Sequence, residues 1–145
     1  MRDIKRVILH CSATPDYPSE SSRFDLFGVA DIDVWHKQRG WSGVGYHYVI
    51  RRSGILENGR PIGKAGAHVQ GENANSLGVC YIGSKTPTDA QVRTLLQLSR
   101  DICLAHGLGA DDWYGHYEFN TGKTCPGFPM NLFRETLRYF LQAKG

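Results

Sequence analysis

The chain has 145 residues, of which 41% are hydrophobic and 21% charged, and its formal net charge is +3. These values exclude collagen-like, coiled-coil and intrinsically disordered proteins. The length fits one domain, residues 1–145, without a separate binding module. Because Lys and Arg form no dense stripe, the mild positive charge does not indicate a nucleic-acid partner.

The N-terminal segment is charged, and its apolar block at residues 7–9 is far shorter than the apolar region of a signal peptide. The sequence has no stretch of about 18 apolar residues, the minimum for a membrane-spanning helix. We therefore expect a protein that is made in the cytoplasm and has no membrane partner.

The first half of the chain predicts three strands and one helix. Residues 4–10 (IKRVILH) are rich in β-branched residues, which indicates a strand, and residues 12–28 indicate a loop. Apolar residues at helical spacing predict a helix over residues 31–39. Residues 46–51 predict a second strand, with residues 55–57 as its hairpin partner.

The second half predicts a strand at residues 76–82 and two helices. The first helix follows a capping box from Thr88 to Gln91 and ends at Gly107; the second covers residues 129–142. The residues predicted to face inward are Val92, Leu95, Leu96, Ser99, Ile102 and Cys103 in the first helix, and Leu132, Phe133, Thr136, Leu137, Phe140 and Leu141 in the second. Strands and helices mixed in one short domain predict an α/β fold, with a central mixed sheet flanked by helices.

The four cysteines contain no CxxC pair, which excludes a zinc ribbon and a thioredoxin-like motif. A cytoplasmic protein is also expected to keep its thiols reduced. We expect three of them to pack as small apolar residues and one to be available for chemistry. They are Cys11, Cys80, Cys103 and Cys125.

Three of the possible metal ligands stand at structural boundaries. His10 ends the first predicted strand, and His116 and Cys125 lie on either side of a predicted Asn-Thr-Gly turn. Zinc accepts both imidazole and thiolate ligands, and catalytic zinc takes three protein ligands. The spacing alone leaves two simpler interpretations open: a strand-end histidine without a metal, and a buried thiol before a Pro-Gly turn.

Lys123 and Tyr46 are candidates for catalysis. Lys123 stands two residues before Cys125, where an ammonium group is useful if negative charge develops during a reaction; the alternative is a solvated loop lysine. Strand alternation predicts that Tyr46 and Tyr48 share one face of the sheet and His47 the other. The alternative for both tyrosines is packing in the core.

Five segments together resemble the zinc-dependent N-acetylmuramoyl-L-alanine amidases, in particular the small endolysins of bacteriophages. They occur in the order of that family and extend over nearly the whole chain. The turn between His116 and Cys125 is one residue longer than in similar phage proteins, but Lys123 keeps its place two residues before Cys125. The segments are VILHCSAT (7–14), WHKQRGW (35–41), GYHYVI (45–50), HVQGENANSLGVCYIG (68–83) and GHYEFNTGKTCPGF (115–128).

The resemblance implies an amidase-like and peptidoglycan-recognition-protein-like fold and one Zn²⁺ per chain, bound by His10, His116 and Cys125. It implies catalytic roles for Tyr46 and Lys123. The substrate is then peptidoglycan, cleaved between N-acetylmuramic acid and L-alanine. The enzyme acts on the cell wall after release or delivery.

The resemblance also implies that His68 borders the substrate groove and that His36 and His47 are structural. We expect a monomer. Some phage members bind the phage RNA polymerase, but this sequence does not indicate that role. The alternatives are a non-catalytic peptidoglycan-binding module, a polymerase-binding regulator and, least favoured, a structural zinc domain.

Overall fold

The computed structural model describes residues 2–143, which form one five-stranded sheet and three α-helices. Three short 3₁₀ turns lie at Asn73–Asn75, Ala110–Asp112 and His116–Glu118. In the described part of the chain, the helices are too short or too polar to cross a membrane. The strands are β1 (Arg6–Cys11), β2 (Tyr48–Ile50), β3 (Leu56–Asn58), β4 (Ser76–Tyr81) and β5 (Trp113–Gly115), and the helices are α1 (Val29–Gln38), α2 (Asp89–His106) and α3 (Met130–Ala143).

The sheet has the strand order β3-β2-β4-β1-β5. Strand β1 pairs in parallel with β4 and β5, the central strand β4 also pairs in parallel with β2, and only β3 is antiparallel. The predicted α/β fold with a mixed sheet is therefore confirmed. Sequence analysis missed β5, because three residues ending in glycine carry no strand pattern of their own and become a strand only by pairing with β1.

Alternation along β1 divides its side chains between two layers. Val7 and Leu9 pack in the main apolar cluster beneath α2 and α3. Ile32 of α1 packs with Val49 and other residues in a smaller cluster on the opposite face of the sheet. Since successive strand residues point to opposite faces, His10 lies on the α1 side.

The capping box of α2 is confirmed, since Thr88 Oγ1 accepts from the Gln91 N–H group and Gln91 Oε1 accepts from the Thr88 N–H group. Gln91, not Val92, faces inward at this end of the helix. The Gln91 amide donates to the carbonyl oxygens of Ile50 and Ile82, which leaves Val92 37% exposed. The inward assignment of Val92 was therefore wrong.

The inner face of α3 is narrower than predicted. Phe133 and Leu137 are buried against the sheet, whereas Leu132 is 63% exposed and Thr136 is also exposed. Positions 133 and 137 are one helical turn apart and lie on one stripe, and the positions immediately before them turn away from it. The predicted inward orientation of Leu132 and Thr136 was wrong.

The prediction that Tyr46 and Tyr48 share a face was also wrong. Tyr48 packs in the cluster beneath α2 and α3, and Tyr46 packs in the cluster on the α1 side. The alternation fails because β2 begins only at Tyr48. His47, just before it, donates its N–H to the Gly78 carbonyl and accepts the Gly78 N–H through Nδ1, so a side chain replaces a backbone group of the sheet.

Candidate active site

The candidate site lies at the carboxyl end of the parallel strands. His10 is near the end of β1, and His116 immediately follows β5, the neighbouring strand. Cys125 returns to the same place on the next loop, where its carbonyl accepts the N–H of Tyr117. One donor atom from each of His10, His116 and Cys125 lies within 4.8 Å of the others. The structure therefore brings together the three predicted ligands.

His10 is buried and its ring is fixed by a chain of hydrogen bonds. Its Nε2 lies 2.9 Å from Nδ1 of His68, whose Nε2 lies 3.3 Å from the Ser76 hydroxyl oxygen. The Ser76 hydroxyl donates its only proton to the Glu72 carbonyl oxygen. His68 Nε2–H must then donate to Ser76, and His10 Nε2–H must donate to His68. The tautomer of His10 is thereby set, with the lone pair of Nδ1 free for a ligand.

Gly78 of β4 makes room for this arrangement. A Cβ atom at Gly78 would lie 2.8 Å from Cγ of His68, closer than such atoms approach in proteins. The absent side chain lets the His68 ring lie directly on the sheet beside His10. A glycine in a buried strand is here a requirement of the site.

Both imidazoles of the cluster are held in the neutral form. Burial lowers the pKa of His10 well below its ordinary value, and neighbouring histidines lower it further. Burial also lowers the pKa of His116, and the charge of Lys123 adds to this effect. Metals bind neutral imidazole, so the two rings are ready to act as ligands at neutral pH.

The third predicted ligand, Cys125, has an unpredicted neighbour. The N–H group of Cys11 donates to Cys125 Sγ over 2.9 Å. The neighbouring Cys11 side chain, together with burial, raises the pKa of Cys125. The thiol form of Cys125 is therefore favoured, and a bound cation would displace its proton. The position of Cys11, directly after His10, was the available signal for this contact.

Tyr46 lies against the cluster, with its ring centroid 4.9 Å from that of His10. Its side chain also lies near Cys80, the residue that pairs with His10 across the sheet, and lowers the pKa of that thiol. Burial raises the pKa of Tyr46 well above its ordinary value. The phenol therefore keeps its proton at neutral pH and can donate a hydrogen bond.

Lys123 is exposed and lines the same groove as Tyr46 and two of the predicted ligands, His116 and Cys125. Its N–H group donates to the Asn120 carbonyl oxygen, which closes the predicted turn between His116 and Cys125. The turn carries the ammonium group to the groove, where its charge acts on His116. The groove has a volume of about 500 Å³.

Comparison with known proteins assigns this arrangement to a family. The family model for N-acetylmuramoyl-L-alanine amidases matches residues 1–128. The chain belongs to this amidase family. It is 43% identical to the endolysin of Klebsiella phage KP32 over 142 residues, which cover 92% of this chain and 87% of that protein. It is 46% identical to the endolysin of Enterobacteria phage T3 over 137 residues, covering 89% and 84%.

A solved structure shows the same fold. The N-acetylmuramoyl-L-alanine amidase LysC from Clostridium intestinale URNW superimposes with a TM-score of 0.80 and 29% sequence identity. The match covers 94% of this chain and 86% of LysC. The predicted family resemblance is confirmed. This amidase is a peptidoglycan hydrolase that cleaves the amide between N-acetylmuramic acid and L-alanine.

The other two buried histidines of the amidase are bound to backbone groups. His36 Nδ1 accepts the N–H of Gly45 over 2.8 Å, and His47 is bonded to Gly78 as described. Their rings hold the 45–48 segment in place and thereby position Tyr46. These contacts fit the structural role that the resemblance implies for both residues.

The groove of the amidase also contains residues that sequence analysis did not select. Arg39 and Trp41, from the turn after α1, line it together with His116 and Cys125. Both stand in the WHKQRGW segment, so the signal was present, but exposed residues in a turn carry no pattern that distinguishes a groove from open surface.

Proposed function

We propose that the amidase is zinc-dependent and that His10, His116 and Cys125 hold one Zn²⁺ per chain. The observation that carries this proposal is the convergence of one thiol and two imidazoles within 4.8 Å. The donor types match zinc, and three protein ligands are typical of catalytic sites. The free Nδ1 of His10 and the neutral imidazoles offer lone pairs to a cation, and binding of that cation would release the proton of Cys125.

When bound there, Zn²⁺ supplies a Lewis acid that polarises an amide carbonyl and lowers the pKa of water toward about 7. The chain's own residues then have separate tasks. We assign Lys123 to the oxyanion, because addition of water to the scissile carbonyl places negative charge on its oxygen. An ammonium group in the same groove stabilises that charge more in the transition state than in the substrate.

Tyr46 positions groups in the reaction instead of removing a proton. Its raised pKa leaves the hydroxyl protonated at neutral pH, which makes it a poor general base. As a hydrogen-bond donor beside His10, it can orient the attacking water or the developing oxyanion.

His68 serves as a positioning residue in this proposal, because its Nδ1 holds the His10 tautomer that leaves a ligand atom free. It also lines the groove, so its predicted contact with substrate stays a prediction. We further propose a monomeric single catalytic domain over residues 1–145 that acts on the cell wall after release. The similarity to phage endolysins supports that site of action.

Two measurements on Cys125→Ala test the proposal. The first is zinc content by elemental mass spectrometry after loading and desalting; the second is mass spectrometry of soluble products from purified sacculi. We expect about one zinc per chain and free stem peptides starting at L-alanine from the unaltered protein. Cys125→Ala should show neither, whereas Cys103→Ala, which removes a thiol from the other face, should show both. Full activity in Cys125→Ala would contradict the ligand assignment.

A further inference from the structure

The turn after α1 presents an arginine on an aromatic platform at the groove. The Arg39 guanidinium carbon lies 5.5 Å from the ring centroid of Trp41, and both residues line the groove that His116 and Cys125 also line. Trp41 is 39% exposed, so part of its ring is available as a surface. A guanidinium that rests on an indole has fewer orientations to lose when it binds a ligand.

Contacts with His36 hold the Trp41 ring in place. The Trp41 ring packs edge-on against the His36 ring with centroids 4.6 Å apart, and the backbone N–H of Trp41 donates to the His36 carbonyl oxygen. The His36 ring is buried and accepts the N–H of Gly45. Trp41 is therefore held by the end of α1 and by the segment that carries Tyr46, so its position relative to the reaction centre is fixed.

The charge of Arg39 is uncompensated. Within residues 2–143, its guanidinium takes part in no ion pair and no hydrogen bond, whereas Arg51, Arg52 and Arg134 each contact a carboxylate. The groove lining contains Arg39 and Lys123 and no Asp or Glu. The positive charge of Arg39 also acts on residues inside the groove, since it lowers the pKa of His36 and opposes the rise in the pKa of Tyr46.

Two cations without a carboxylate indicate a groove for an anionic ligand, and the substrate of the amidase supplies one. The stem peptide has free carboxylates, and the one closest to the scissile amide belongs to its second residue, a D-glutamate with a free α-carboxyl. We infer that Arg39, held on Trp41, binds this α-carboxylate while Lys123 serves the reacting carbonyl. The inference rests on the amidase function but not on the identity of the metal. A planar guanidinium fork matches a carboxylate in bidentate geometry.

Binding of non-hydrolysable peptides tests the inference without catalysis. The probes are two synthetic stem tripeptides that begin with L-alanine, with the α-carboxyl of the second residue free or amidated. We expect the zinc-loaded protein to bind the free acid about tenfold more tightly in an NMR titration. Arg39→Gln should bind both peptides equally, at the weaker level, and Arg39→Lys should keep part of the preference because it retains the charge.

Arg93→Gln, an exposed position on α2, is the matched control for the loss of one positive charge and should keep the full preference. An equal affinity of the unaltered protein for the two peptides would overturn the inference. So would an Arg39→Gln protein that still prefers the free acid.

Kinetics on muramoyl tripeptides of the same two types separate this inference from the amidase function. We expect the ratio of kcat/KM for free acid over amide to fall about tenfold in Arg39→Gln. An equal loss on both substrates would assign Arg39 to packing on Trp41 and overturn its role as a carboxylate ligand. If the unaltered protein hydrolyses neither substrate but still prefers the free-acid peptide, the amidase function fails and the carboxylate site stands.

Discussion

The two faces of the central sheet are built from the same strands but differ in chemistry. The face toward α2 and α3 is covered almost entirely by apolar side chains such as Leu77, Trp113 and Leu137, which are fully buried. The face toward α1 has a smaller apolar cluster and also contains His10, His47 and His68, all buried. One face resembles an ordinary protein core, and the other is a network of imidazoles.

This difference shows how a small domain can hold a polar site without losing its fold. Burying an imidazole is costly unless its nitrogens find partners, and here each ring is bonded to a backbone group or to another side chain. The apolar face supplies the hydrophobic stabilisation that the polar face lacks. We therefore expect substitutions on the two sides to affect different properties.

The largest effect on function alone is expected for Lys123→Ala. Removal of one donor to a developing oxyanion costs about 10²–10³-fold in turnover, and Lys123 is exposed, so folding should be unchanged. Release of stem peptides from sacculi gives the rate, and elemental mass spectrometry gives the zinc content, which should stay near one per chain. Lys5→Ala, at an exposed position before β1, is the control. Loss of zinc in Lys123→Ala would show that its role is in metal binding.

On the apolar face, Leu137→Ala is expected to reduce the free energy of unfolding by about 3 kcal/mol, because it leaves a cavity at a fully buried position. Urea titration measures this change. The zinc content and the specific activity of the folded protein should stay as they are. Leu132→Ala, on the same helix but exposed, should change stability by less than about 0.5 kcal/mol. A similar loss in both variants would contradict the orientation of α3.

His68→Ala sharpens the comparison, because it changes the polar face without removing a proposed ligand. The variant frees the His10 ring from its fixed tautomer, and loss of such a partner weakens zinc binding by about 10–100-fold. Competition with a chelator measures the affinity. His68→Asn should recover part of it, since its amide oxygen can accept from His10, and His106→Ala on α2 should have no effect. An unchanged zinc affinity in His68→Ala would contradict the role of the hydrogen-bond chain that runs from Glu72 to His10.

The smallest effect is a pH dependence of stability that belongs to His36. Burial lowers the pKa of His36 to about 4. The folded state therefore favours the neutral ring, and the unfolded chain binds more protons below its ordinary pKa of about 6.5. The contribution of His36 is complete above about pH 6.5 and is lost as the pH falls toward 4, with a slope of at most about 1.4 kcal/mol per pH unit.

Denaturant unfolding at several pH values, compared between the unaltered protein and His36→Asn, isolates this slope. Asparagine can still accept the Gly45 N–H but does not titrate. The free energy of unfolding of the variant should therefore change less between pH 6.5 and 4, even if the variant is less stable at neutral pH. Parallel curves for the two proteins would contradict the buried neutral state of His36.

Sequence analysis predicted the long elements correctly in outline and selected three candidate ligands that the structure brings together, but it did not predict the local geometry around them. The capping box at Thr88 placed the start of α2, because its hydrogen bonds lie within four residues. Strand β5 was not predicted, because its three residues form a strand only by pairing with β1. The contact of Cys11 with Cys125 was not predicted because the two residues are far apart in the chain. The place of Arg39 at the groove was not predicted because the sequence pattern around it does not distinguish a groove from open surface.

The sequence by itself determined the fold class and the family, and it supplied the candidate metal ligands, because strand composition, helix caps and ordered family motifs are local properties. Only the tertiary structure decided how they act together. Parallel pairing of β1 with β4 and β5 placed His10 beside His116, the absent side chain of Gly78 admitted the His68 ring, and the Ser76 hydroxyl set the tautomers. These outcomes depend on distances between segments remote in the chain, which packing alone determines.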